Sequence, residues 1–283
     1  MRIVITGSEG QLGRALRAIL HHHTLLNIDL PEYDITNYDQ MTRLIPSFEP
    51  HLVIHAAAFT NVDGCEGEPD TAYKVNALGT QNIALACQRS NVPMVYISTD
   101  YVFDGTKGEP YLEWDTPNPQ SVYAKSKYAG ELITQLLLHQ FYIVRTAWLY
   151  GTGSNNFVAK VLRNAAEHPT LQYVTDEVGS PTYAPDLAQA ITKLIEHPLY
   201  GIYHFTNQGT CSRYEWAVEI LRLAGKPDYP IYPTQGYTRA AKVPARCELR
   251  NFVGATQLGI TLRPWKEALA DWFAQYRGAE WGN

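Results

Sequence analysis

Tyr123 and Lys127 form a Y-x-x-x-K pattern in the segment 121–137, whose apolar spacing predicts a helix. Residues four apart lie on one helical face, so the lysine ammonium can approach the tyrosine phenol. An unperturbed tyrosine, with a pKa near ~10, is a slow proton carrier at pH 7, and a neighbouring cation would lower that pKa. The pair therefore suits a proton donor to a carbonyl group that receives a hydride. Because the pattern also occurs by chance in surface helices, its meaning depends on the rest of the chain.

Thr99 ends the apolar segment PMVYIST (93–99), which predicts a buried strand. Ligands of parallel sheets bind at the carboxyl ends of the strands, where the Thr99 hydroxyl could hydrogen-bond a substrate oxygen. We therefore predict that Thr99, Tyr123 and Lys127 are catalytic.

Three glycines, Gly7, Gly10 and Gly13, separate a first predicted strand (2–6) from a helical segment. Such glycines allow a tight turn and let the backbone approach a pyrophosphate, although an ordinary strand–helix turn is the alternative. Asp29 ends the second predicted strand, where a carboxylate would accept a hydrogen bond from the adenosine ribose and repel a 2′-phosphate. The sequence therefore predicts NADH or NADPH as cofactor. Asp29 favours NADH, but only modestly, because it could instead cap a loop and because Arg14 is close in sequence.

The elements around these residues alternate between apolar strands and helices as far as residue 150. This alternation indicates βαβ units and a parallel sheet that is covered on both faces. We predict an α/β fold, with a doubly wound parallel Rossmann sheet in residues 1–150. Residues 151–283 are expected to form a smaller C-terminal α/β substrate-binding region, with segments near 184–207 returning to the Rossmann domain. In detail, 69–90 predicts one long helix, 155–167 another, and 227–245 a loop.

Composition excludes several classes of protein. The 283 residues are 45% hydrophobic and carry a formal net charge of −5 without a long basic run, so nucleic-acid binding is not expected. No apolar segment approaches the ~20 residues that a membrane-spanning helix needs, and no secretory signal is recognised, so we expect a cytoplasmic protein. The four cysteines form no CxxC pair, and no metal site is predicted.

Seven segments distributed over nearly the whole chain carry a family resemblance: TGSEGQLG, HAAAFTNVDGCE, STDYVFDG, YAKSKYAGE, RTAWLYG, NNF and LRPWKEAL. With these motifs the chain resembles the extended short-chain dehydrogenases/reductases, and within them the reductases of dTDP-4-dehydrorhamnose. The resemblance implies that seven further residues line the cofactor: Gln11, Leu12, Asp34, Ile35, Ala56, Ala57 and Ala58. It implies substrate contacts for Thr99, Asp100, Tyr123, Trp148, Asn156 and Arg246.

The implied reaction is NAD(P)H-dependent reduction of the C4 ketone of dTDP-4-dehydro-β-L-rhamnose. Two departures from the family pattern lie in the substrate region: Glu177 stands where an amide is usual, and Val243 where an arginine is usual. They leave another nucleotide 4-keto-deoxysugar open as substrate. A non-catalytic, NAD(P)-binding regulatory subunit is the alternative from another class. A homodimer is possible, and Mg²⁺ is possible but has no motif here.

Overall fold

The computed structural model describes residues 1–153 and 156–276. Six strands pair in parallel into one central sheet. In chain order they are β1 (Arg2–Thr6), β2 (Thr24–Ile28), β3 (Leu52–His55), β4 (Met94–Thr99), β5 (Phe141–Thr146) and β10 (Gly201–His204). Their order across the sheet is β10-β5-β4-β3-β1-β2. The chain adds β2 on one side of β1 and then β3 and the later strands on the other side, so the strand order reverses between β1 and β3. This arrangement confirms the doubly wound parallel sheet and places a ligand crevice outside the carboxyl ends of those two strands.

Both faces of the sheet are buried. Because successive side chains of a strand point to opposite sides, each strand supplies residues to two cores. Ile3 and Ile5 pack into one core, whereas Val4 between them packs into the other. Ile54 and Val53 divide between the two cores in the same way. The continuous apolar runs in the sequence therefore correspond to strands that are covered on both sides.

Five helices cover the two faces of the sheet. They are α1 (Gln11–Ile19) and α8 (Ala184–Leu194) on one face, and α2 (Tyr38–Ser47), α5 (Thr80–Ser90) and α6 (Val122–Leu137) on the other. The start of α6 is fixed by Ser121, whose side chain accepts a hydrogen bond from the backbone N–H of Ala124 at 3.2 Å. That N-cap sets where Tyr123 lies in the first turn.

The segment 69–90 is not one uninterrupted α-helix. It consists of α4 (Pro69–Tyr73), a π-helical turn (Lys74–Gly79) and α5. Two short helices that the sequence did not indicate are α3 (Val62–Gly67) and α10 (Val253–Leu258). Wider π turns inside helices are frequent at functional sites, and this one carries the buried Asn76.

The C-terminal part has a core of its own around Trp216 and Trp272. Its helices are α7 (Phe157–Glu167), α9 (Arg213–Leu223) and α11 (Trp265–Gln275). Three two-stranded pairs frame them: β6 (Leu149–Tyr150) with β9 (Thr182–Tyr183), β8 (Val178–Gly179) with β11 (Cys211–Ser212), and β7 (Leu171–Val174) with β12 (Ile231–Thr234). The region 227–245 thus contains a strand where only a loop was predicted, because β7 supplies its hydrogen-bonding partner. None of the helices in residues 1–153 and 156–276 is long and apolar enough to cross a membrane.

Two histidines of the central sheet, His55 on β3 and His204 on β10, are fully buried, and burial lowers the pKa of both to about 3. Between pH ~6.5 and ~3 the unfolded chain binds these protons while the folded protein does not. We therefore expect the free energy of unfolding to decrease as the pH falls through this range, by about 1.4 kcal/mol per pH unit for each histidine. Urea unfolding at pH 7.5, 6.5 and 5.5 measures this slope.

Replacing His55 by glutamine should make the slope shallower, whatever it does to the stability at pH 7.5. The matched control is His139→Gln, since His139 is exposed. Equal slopes in the wild type and in His55→Gln would contradict the prediction.

Candidate active site

A cavity of about 890 Å³ lies at the carboxyl ends of β1, β3, β4 and β5. It gathers sixteen of the predicted site residues from segments that are distant in sequence. They are Gly7, Gly10, Gln11, Leu12, Gly13, Asp29, Asp34, Ile35, Ala56, Ala57, Ala58, Thr99, Asp100, Tyr123, Lys127 and Trp148. The fold therefore brings the glycine turn and the Y-x-x-x-K helix to one site.

The glycine turn leaves no room for side chains. Gly7 has a φ of +66°, and a β-carbon there would stand 2.7 Å from the backbone nitrogen of Ala57. A β-carbon on Gly13 would overlap the carbonyl oxygen of Gly7. The turn thus exposes bare backbone at the start of α1, where free N–H groups and the helix dipole favour phosphate. These residues fit the pyrophosphate of a dinucleotide cofactor.

Two carboxylates, Glu9 and Asp29, line the cavity beside the glycine turn, where the adenosine of a dinucleotide cofactor is expected. Asp29 accepts hydrogen bonds from the backbone N–H groups of Glu9 at 2.7 Å and Leu30 at 2.9 Å. The Glu9 carboxylate in turn pairs with Arg14 at 3.6 Å and with Arg17. The single Glu9 carboxylate is thus shared between two guanidinium groups, and Asp29 remains as the carboxylate on the ribose side without a cationic partner among the described residues.

Tyr123 and Lys127 are buried in the opposite part of the cavity. Burial raises the pKa of Tyr123, and hydrogen bonding by Thr99 opposes that rise only in part. The expected lowering of the Tyr123 pKa by Lys127 is not what the structure shows. The Lys127 ammonium instead donates to the carbonyl of Ile97 at 2.7 Å and lies 4.2 Å from the ring centre of Tyr96. Burial lowers the pKa of Lys127 to about 7, against the opposing charge of Glu131.

Thr99 and Asp100 form a polar pair at the end of β4. The Thr99 hydroxyl donates to Asp100 Oδ1 at 3.0 Å and accepts the N–H of Tyr101 at 3.2 Å. Asp100 is 2% exposed, and its Oδ2 has no hydrogen-bond partner in the part of the chain that the structure describes. Burial raises the pKa of Asp100 to about 7, although Thr99 and Arg213 both oppose this. A buried oxygen without a partner beside the cavity indicates a site for a hydroxyl-bearing ligand.

Asn76 ties the loop after β3 to the helix that carries Tyr123. Its side chain accepts the N–H of Phe59 at 2.8 Å and donates to the Phe59 carbonyl at 3.1 Å. It also donates to the Ser126 hydroxyl at 2.9 Å. The buried Asn76 amide thus links the Phe59 backbone to the Ser126 side chain of α6.

Sequence reasoning missed Arg213, the first residue of α9, which lines the cavity beside Trp148. Its guanidinium carbon lies 3.5 Å from the centre of the Trp148 ring, and its Nε lies 3.6 Å from Glu177. Trp148 itself has a φ of +43°, an unusual value for a bulky residue and a form of strain that is often found at functional sites. The S-x-x-E capping box of Ser212 and Glu215 could have placed Arg213 at a helix start, but not at this cavity.

Asn156 and Arg246 are not among the residues that line the cavity. Asn156 caps α7, where its side chain accepts the N–H of Ala159 at 3.0 Å and donates to the carbonyl of Gly153 at 2.8 Å. Arg246 is exposed on the surface and lies 3.9 Å from Glu248. Both side chains are thus engaged elsewhere, and Asn155 of the NNF segment lies outside the described residues.

The comparison with known proteins agrees with this geometry. A family model described as the RmlD substrate binding domain matches residues 1–277. A dTDP-4-dehydrorhamnose reductase of Aggregatibacter actinomycetemcomitans is 39% identical over 284 residues, covering 95% of this chain and 97% of the relative. The expected resemblance is therefore confirmed by sequence over nearly the whole chain.

Two crystal structures of dTDP-4-dehydrorhamnose reductases are also similar. That from Clostridium acetobutylicum has a TM-score of 0.94 and 42% identity, over 98% of this chain and 100% of the other. That from Bacillus anthracis, in complex with NADP, has a TM-score of 0.94 and 39% identity, over 97% and 99%. The chain belongs to the RmlD substrate binding domain family, together with relatives that are named dTDP-4-dehydrorhamnose reductases.

Proposed function

We infer that this chain is an NAD(P)H-dependent sugar-nucleotide ketoreductase that converts dTDP-4-dehydro-β-L-rhamnose to dTDP-L-rhamnose. The observation that carries the inference is the single cavity that joins the bare glycine turn to Thr99, Tyr123 and Lys127. A non-catalytic cofactor-binding subunit would need the glycine turn but not those three side chains. The cytoplasmic location and the homodimer expected from the sequence stay predictions.

In this proposal Tyr123 is the proton donor. When bound, NAD(P)H supplies the hydride that reaches C4 of the sugar. The Tyr123 hydroxyl gives its proton to the C4 oxygen, so the ketone becomes a secondary alcohol and the phenolate is reprotonated from solvent. The raised pKa of Tyr123 suits this direction, because the phenol is protonated at neutral pH when the ketone arrives.

Thr99 and Lys127 support that transfer. The Thr99 hydroxyl, next to Tyr123, would turn its proton from Asp100 to the C4 oxygen of the substrate and orient that oxygen toward the phenol. Lys127 would hold the nicotinamide ribose from its buried position, with its ammonium fixed by the Ile97 carbonyl. Asp100 and Trp148 would contact the sugar, with the unpaired Asp100 oxygen accepting a sugar hydroxyl.

The direct test follows the loss of reduced-nicotinamide absorbance with enzymatically made dTDP-4-dehydro-β-L-rhamnose. NADH and NADPH are compared in parallel, and the product is identified by mass and NMR as dTDP-L-rhamnose. We expect turnover with this substrate. Turnover only with dTDP-4-keto-6-deoxy-D-glucose would assign the alternative keto-sugar, and tight NADH binding without any turnover would favour a regulatory subunit.

Cofactor preference gives a second expectation. Glu9 pairs with Arg14 and with Arg17 and stands beside Asp29, so its carboxylate competes with a 2′-phosphate for both guanidinium groups and favours NADH. Replacing Glu9 by glutamine removes one negative charge and frees the guanidinium groups for a 2′-phosphate. We expect the affinity for NADPH relative to NADH to rise about tenfold. Dissociation constants from tryptophan fluorescence quenching measure this ratio without turnover.

The control is Glu49→Gln, which makes the same substitution in an exposed ion pair with Arg2 outside the cavity. It should leave both affinities unchanged. An unchanged NADPH-to-NADH ratio in Glu9→Gln would show that Glu9 does not set the preference.

A further inference from the structure

We propose that Arg213 binds the diphosphate of the nucleotide sugar. The proposal rests on the proposed function, because it takes the substrate to be a nucleoside diphosphate derivative. Three cations line the cavity among residues 1–153 and 156–276: Arg14, Lys127 and Arg213. Arg14 belongs to the adenosine end, and Lys127 donates to the Ile97 carbonyl. Arg213 is the cation at the end that holds Thr99, Asp100 and Trp148.

The guanidinium of Arg213 is largely buried, yet none of its hydrogen-bond donors has an acceptor among the described residues. Its side chain is 17% exposed, and its charged partner Glu177 lies at 3.6 Å, beyond hydrogen-bonding distance. Stacking on Trp148 covers one face of the guanidinium but satisfies none of its five N–H donors. A buried cation with unused donors is costly unless a ligand supplies the acceptors. Phosphate oxygens match these donors in charge and in planar, two-point geometry.

The neighbouring Arg239, in contrast to Arg213, is held by hydrogen bonds from its guanidinium. It donates two hydrogen bonds to Asp63, both at 3.2 Å, and its third nitrogen lies 3.5 Å from Glu177. Glu177 therefore stands between two guanidinium groups, of which that of Arg239 is hydrogen-bonded to Asp63 and that of Arg213 has no hydrogen-bond acceptor among the described residues. The carboxylate that replaces the usual amide thus pairs with Nε of Arg213, and the two terminal nitrogens of this cavity-lining guanidinium remain for a ligand.

The arrangement also accounts for the absence of the arginine that the family usually carries where this chain has Val243. Arg246, the nearest arginine in sequence, is exposed and turned to Glu248. Arg213 supplies a cation to the substrate end from a different element, the start of α9. The site would take any nucleoside diphosphate whose base is accepted, because the guanidinium contacts phosphate rather than base.

Isothermal titration with thymidine, dTMP and dTDP tests this assignment. The wild type should bind dTDP much more tightly than thymidine. Arg213→Gln should weaken dTDP binding by about 10- to 100-fold while thymidine binding stays the same. Arg213→Lys should keep part of the higher affinity for dTDP than for thymidine, because it preserves the charge but not the planar donors. In the wild type the ratio of dTDP affinity to thymidine affinity should also fall with added salt, whereas in Arg213→Gln it should vary little.

Two controls separate this contact from a structural effect. Arg222→Gln removes an exposed arginine from the same helix and should leave the affinities for thymidine, dTMP and dTDP unchanged. NADH affinity should be unchanged in Arg213→Gln, since the cofactor wall lies at the other end of the cavity.

The assignment is overturned if Arg213→Gln keeps the wild-type ratio of dTDP to thymidine affinity, or if the wild type binds both equally. These measurements need no turnover, so they can succeed even where the ketone proposed above proves not to be the substrate. Conversely, the wild type could reduce that ketone while Arg213→Gln keeps the wild-type affinities for thymidine, dTMP and dTDP. That result would leave the proposed function intact and show that Arg213 does not bind the diphosphate.

Discussion

Replacing Tyr123 by phenylalanine is expected to lower kcat by about 10²–10⁴-fold, because it deletes the hydroxyl that protonates the C4 oxygen. The ring is buried, and the substitution removes one oxygen without adding bulk. Binding of NADH should therefore persist, and the loss should appear in kcat rather than in cofactor affinity. Steady-state kinetics together with an NADH titration measure both quantities.

Tyr128→Phe provides the matched control. Tyr128 lies on the same helix, five residues on, but does not line the cavity, so its phenol has no access to the substrate. Its kcat should remain close to that of the wild type. A Tyr123→Phe variant that keeps a tenth or more of wild-type kcat would show that another group donates the proton.

Replacing Glu131 by glutamine is expected to lower the free energy of unfolding by about 3–5 kcal/mol. Glu131 on α6 forms a two-point ion pair with Arg145 on β5, at 2.9 and 2.7 Å, and both side chains are almost fully buried. Ser98 on β4 donates to the same carboxylate at 2.6 Å. Glutamine would leave the Arg145 charge buried without a counter-charge. Chemical unfolding followed by circular dichroism gives the value.

The same network positions the catalytic helix, since α6 carries Tyr123 and β4 ends at Thr99. Exposed Glu49→Gln, which breaks the surface pair with Arg2, should cost less than about 1 kcal/mol. The double variant Glu131→Met with Arg145→Met should be more stable than Glu131→Gln, because no charge then remains buried. A loss below about 1 kcal/mol in Glu131→Gln would mean that the buried pair contributes little.

The sequence alone determined the features that depend on local interactions. The first strand, the glycine turn and the following helix are encoded by adjacent residues, and the Y-x-x-x-K spacing follows from the pitch of one helix. Alternation of strands and helices predicted the parallel sheet, and motif resemblance predicted the reductase. The first strand, the glycine turn and the following helix are present in the structure because neighbouring residues in the chain suffice to specify them.

The tertiary structure alone decided which side chains meet across the cavity. Arg213 reaches Trp148 from a helix 65 residues later, and no local pattern encodes that approach. Lys127 turns to Ile97 rather than to the phenol because burial leaves its ammonium in need of an acceptor. Asn156 bonds the turn before α7, and Arg246 lies on the surface near Glu248. Burial and long-range partners set these positions, and both exist only once the chain is folded.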